Sequence, residues 1–178
     1  MALTYREAVI EAVRGAIEQG FPPISEGKAV LYRDRRTTVD PEECDREGTI
    51  LNIAPGDQST DDSQVQYEDA HVLEIRVEGY MAATMDDESS DPDAARIPSD
   101  LENAQLSRDL SYLAGLLTEI LTDPDAEPYC PEWIEAVRIT DTQFDLMDVD
   151  QSDRPFGKVQ VLLSVEYRTP RGKAFVPD

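Results

Sequence analysis

Residues 158–168 read KVQVLLSVEYR, and the apolar side chains Val159, Val161, Leu163, Val165 and Tyr167 fall at every second position. Successive side chains of an extended chain point to opposite faces, so these five line one side of a strand, with Gln160, Ser164 and Glu166 on the other. A strand with one apolar face needs a cover. The strongest helical pattern in the chain supplies it: Leu106, Leu110, Leu113, Leu117 and Leu121 form one stripe, widened by Leu116 and Ile120. Ser99 with Glu102 makes a capping box at its start, and Asp123-Pro124 closes it.

Outward from this pair the pattern repeats. The stretch 71–81, HVLEIRVEGYM, places His71, Leu73, Ile75 and Val77 on one strand face and Val72, Glu74, Arg76, Glu78 and Tyr80 on the other. Residues 3–19 read as a helix, with a Thr4–Glu7 capping box, a stripe of Val9, Ile10, Val13 and Ile17, and a stop at Gly20 before Pro22-Pro23. Shorter strands are expected at 29–32, 49–53, 133–140 and 144–147. Asp40-Pro41 reads as the start of an acidic loop and Pro55-Gly56-Asp57 as a turn, and polar loop insertions are expected at 56–66 and 84–99. The order α-β-β-β-α-β-β predicts a single α+β domain over 1–178. Its sheet is mostly antiparallel, with two amphipathic helices packed on one face and the other face free for partners.

The charge is unusual: 38 Asp and Glu against 16 Lys and Arg give a formal net of −22. Such a surface disfavours direct nucleic-acid binding, which needs clustered cations to displace counterions. It fits a DNA mimic that occupies a DNA-binding protein, or adaptation to concentrated salt. The acids are scattered along the whole chain, and only Lys28, Lys158 and Lys173 are lysines. That distribution favours the halophilic reading, because in molar salt self-repulsion is screened while carboxylates keep the surface hydrated. No apolar run approaches the roughly 18 to 20 residues of a membrane helix. The start MALTYREAV has no signal-peptide pattern, so synthesis in a cytoplasm is expected.

Chemistry is sparse. His71 is the sole histidine, in phase with a strand's apolar face, and Cys44 and Cys130 are far apart, so no zinc set is expected. GxSxG, P-loop and GxGxxG motifs are absent. Asp148, Asp150 and Asp153 begin like a calcium loop, but position six is Asp153 instead of glycine and position twelve is Val159 instead of glutamate. The expectation is no enzyme, no cofactor and no metal. Against this background Arg33, Arg35 and Arg36 stand out, either as partners of the chain's own acids or as a contact to a neighbouring subunit.

The order of these features resembles the tail terminator, or tail-completion, proteins of long-tailed bacterial and archaeal viruses. The first helix, VLYRDRRT at 30–37, ILNIAPGD at 50–57, HVLEIRVEGYM at 71–81, the leucine-rich helix and DRPFGKVQVLLSVEYRTP at 153–170 carry the likeness. It covers most of the chain, while 84–99 and 122–132 have no counterpart. The resemblance implies a virion structural protein forming a ring, usually a hexamer, on the head-proximal end of the tail tube. Its partners would be other copies, the tube protein and a head-completion or neck protein. DNA would pass through the lumen without specific binding. Candidate interface residues are Arg33, Arg35, Arg36, Arg154 and Arg168. Another head–tail joint protein, a neck or tube subunit, is the nearest alternative.

Overall fold

A computed structural model describes residues 3–61, 68–83, 100–123, 132–147 and 155–176. The first helix, α1 (Tyr5–Gly20), starts where the Glu7 N–H donates to Thr4 Oγ1 at 3.2 Å. It buries Val9, Ile10, Val13, Ala16 and Ile17. A single turn, α2 (Pro22–Ser25), leads to strand β1 (Ala29–Arg33). Residues after Asp40 are a helix, α3 (Pro41–Glu47), and not the expected loop. Asp40 accepts from the Glu43 N–H at 2.8 Å and Pro41 occupies the first turn. An Asp-Pro pair is as good a helix start as it is a turn.

Strand β2 (Thr49–Asp61) runs through Pro55-Gly56-Asp57, where a turn was expected. Its pairing with β3 (Glu68–Ala82) jumps from Pro55–Ile75 to Gln58–Leu73, so two residues oppose one in a bulge. A Cβ on Gly56 would lie 3.1 Å from the Glu74 carbonyl oxygen, which is why the bulge falls on glycine. The leucine-rich helix is α4 (Asp100–Thr122). The two short strands expected at 133–140 and 144–147 are one strand, β4 (Ile134–Met147), paired with β5 (Phe156–Pro170). The insertion at 84–99 and the Asp148–Asp153 segment lie outside the described residues, as do Ser99 and Cys130.

The fold is α+β. Its five strands form one sheet in the order β1-β2-β3-β5-β4, antiparallel except for the β1–β2 pair. Both long helices cover the same face. Val9, Ile10, Val13 and Ile17 of α1 and Leu106, Leu110, Leu113 and Leu117 of α4 share one core with Leu73, Ile75, Val77, Val159, Val161, Leu163 and Val165. Burying each such side chain contributes about 2 kcal/mol, whereas an exposed ion pair contributes at most about 1 kcal/mol. The core therefore holds this fold despite its charge. The opposite face is not wholly free: α3 packs on one end of it, joining Val39, Cys44, Ile50 and Phe156 in a second small cluster with Tyr32 and Tyr80.

Candidate functional site

The arginines singled out by sequence lie in different places. Arg33 ends β1 and bridges to α1, pairing with Glu7 and with Glu11 at 2.9 Å. Arg35 is pinned more tightly. Its guanidinium meets Glu43 of α3 at 2.6 Å and Thr37 Oγ1 at 2.9 Å, and it stacks 4.9 Å above the Tyr32 ring. That contact holds the Glu43 carboxyl below the ordinary carboxylate range. Arg36 is 86% exposed at the side chain, with Asp34 at 3.3 Å. Arg168, across the sheet on β5, lies 3.4 Å from Glu68, and its Nε is 2.5 Å from Glu135 without hydrogen-bond alignment. Arg154 lies outside the described residues. Arg33 and Arg35 are thus matched with the chain's own acids, and Arg36 is the most accessible of the group.

Sequence reading missed a polar network on the face that α3 covers. Asn52 and Glu78 are buried there and joined by a 3.0 Å hydrogen bond from Asn52 Nδ2. Tyr80 donates to Glu78 at 3.2 Å, Arg76 pairs with it at 3.2 Å, and Asn52 Oδ1 accepts from the Arg35 backbone N–H at 3.0 Å. The network fixes the 34–40 segment to the sheet, and its members are satisfied by one another.

The sheet ends in β1 on one side and β4 on the other, and no described strand pairs with their outer edges. β4 is fourteen residues long, and Phe144 and Leu146 at its far end are 53% and 50% exposed. Two register shifts, at Ile134/Ala136 and Ile139/Asp141, bend this edge.

At the other end of the sheet a cleft of about 550 Å³ is lined by Thr4, Tyr5, Arg6, His71, Tyr167 and Lys173, among others. His71 stacks on Tyr167 with ring centroids 5.0 Å apart. Its nitrogens meet Thr169 Oγ1 at 2.8 Å and Thr60 Oγ1 at 3.0 Å, and burial lowers its pKa. Both nitrogens are thus engaged by threonines, the arrangement of a structural histidine. The described residues hold no group of three or more potential metal ligands, and none of their helices is long and apolar enough to cross a membrane.

No family model matches the chain, and no curated protein matches it. Among solved structures, a chain of one described as "Virion of native gene transfer agent (GTA) particle" superposes with a TM-score of 0.48 at 12% identity, covering 93% of this chain and 96% of that one.

Proposed function

We propose that this chain is a virion structural protein that assembles as a closed ring on the head-proximal end of a tail tube. There it ends tube polymerisation and joins tail to head. The reading begins with the resemblance of 30–37, 50–57, 71–81 and 153–170 to tail terminators. The observation that carries it is the open sheet, whose two unlike edges, β1 and β4, lie on opposite sides of the subunit. Pairing one copy's β4 edge with the next copy's β1 edge is a heterologous contact, the kind that closes into rings. Exposed Arg36 beside β1, 3.3 Å from Asp34, and exposed Asp141 and Asp145 on β4, which also carries exposed Arg138, offer charges of both signs to that contact.

In this reading the ring is a homohexamer without catalytic residues or cofactors, assembled in the host cytoplasm and carried in the virion. The tube protein and a neck or head-completion protein meet its two ends, and its acidic lumen repels DNA, so that the duplex slides without sticking. The test is particle mass and negative-stain imaging of the purified protein in molar and in dilute KCl. A single six-fold ring is expected. Open stacks of rings would reassign it to the tube, and a single-chain mass in both salts would sink the assembly reading altogether.

A further inference from the structure

The cleft at the α1 end of the sheet gathers cations that the rest of the chain leaves without acids. Most of the other described arginines are matched, among them Arg14 with Glu18, Arg33 with Glu7 and Glu11, Arg35 with Glu43 and Arg138 with Glu166; exposed Arg108, on α4, is not. Arg6 and Lys173 have no carboxylate partner among the described residues, although acids outnumber bases by 38 to 16. They reach the cleft from separate segments, Arg6 from the first turn of α1 and Lys173 from the chain after β5. One Arg6 Nη donates to the Gly56 carbonyl at 3.1 Å, at the β2 bulge. Its Nε–H is buried without an acceptor. A buried donor in that state is costly and uncommon, and it belongs to a side chain that lines the cleft.

We propose that this cleft is a receptor for a single carboxylate carried on a polypeptide, bound by Arg6 and Lys173 over the His71–Tyr167 floor. The charge count favours a monoanion over a phosphate. Asp69 also lines the cleft, 3.3 Å from Arg171, and its negative charge opposes a dianion more than a carboxylate. The net charge of −22 repels polyanions at long range and makes carboxylates abundant on every docking copy. The carboxylate comes from a second copy of this chain, whose surface is rich in them. Only the choice of source rests on the ring reading.

Trp133 reports on the cleft, since its ring lies 5.3 Å from Tyr5 and 6.2 Å from Tyr167 and it is the chain's one tryptophan. Its fluorescence is titrated with N-acetyl-glutamate amide and with inorganic phosphate, in full-length protein diluted to single-chain mass. A saturable change with the carboxylate is expected, about tenfold weaker in Lys173→Gln and abolished in Arg6→Gln. Lys173 is exposed, so its variant keeps the fold even where Arg6→Gln loosens the β2 bulge. No saturable change, an undiminished response in Lys173→Gln, or tighter binding of phosphate would each overturn the site. Mass measurement of Lys173→Gln then assigns the source. Lost self-association points to a second copy, and intact assembly with weakened carboxylate binding points to a separate protein. Wild-type protein that stays single-chain at every salt defeats the ring but leaves the fluorescence result standing.

Discussion

Gly48 ends α3 with φ at +76°, and a Cβ placed on it would lie 2.0 Å from the Lys28 carbonyl oxygen. The obstacle is backbone, which has no rotamer to yield. Gly48→Ala is therefore expected to destabilise by about 2 kcal/mol or more, read as a lowered melting temperature in molar KCl. Tyr80 offers a second residue-scale test, through pH. Burial, reinforced by the Glu78 carboxylate, raises its pKa from 10.0 to about 12. In the unfolded chain the phenol ionises first, so the folded state loses stability as pH rises above 10 and continues to lose it up to about 12. Tyr80→Phe should flatten that part of the stability curve, and an unchanged slope between wild type and variant would show that Tyr80 is not its source.

Among the elements, β4 carries the sharpest expectation. Phe144 and Leu146 are half exposed, so replacing both with lysine removes little buried area while placing two charges on the proposed contact edge. Phe144→Lys with Leu146→Lys should leave the melting temperature nearly unchanged and reduce particle mass to that of one chain; a double variant that still forms rings would move the contact elsewhere. This strand also shows where sequence reading stops. β3 and β5 were legible because their alternation is unbroken from Leu73 to Val77 and from Val159 to Tyr167. β4 read as two strands because the shift between Ile139 and Asp141 moves its apolar positions out of phase. β2 was cut short by a Pro-Gly-Asp bulge that mimics a turn, and α3 was hidden in a charged run with one buried residue, Cys44. The arginine cluster was visible, but its use was not, since Glu7, Glu11 and Glu43 meet it only through the fold. Glu78 read as an exposed member of the polar face of 71–81 and Asn52 as an ordinary strand residue. The burial that makes them fix the neighbouring loop comes only from α3 packing over them.

For the molecule as a whole, the question is how one small domain carries a formal charge of −22. At 0.01 M salt the Debye length is about 30 Å, so carboxylates across the whole domain repel one another. At 1 M it falls to about 3 Å, which leaves contact pairs such as Arg35–Glu43 intact while removing the distant repulsion. Each kcal/mol of repulsion relieved raises the melting temperature of a domain this size by about 3 °C. A continuous rise in melting temperature from dilute to molar KCl is therefore expected at neutral pH. Mild acid separates this screening from simple loss of charge. Glu43 titrates below its ordinary value because of Arg35, so the stability it brings is present above pH 4.5 and is lost as pH falls through the lower folded pKa. His71, lowered by burial, likewise costs stability as pH falls below 6.5. Salt should thus stabilise the protein at neutral pH, and acid should destabilise it through these two sites even as it lowers the net charge. A melting temperature that stays level from dilute to molar KCl would show that the acidic surface is not an adaptation to salt, and would return the charge to the description of a binding surface.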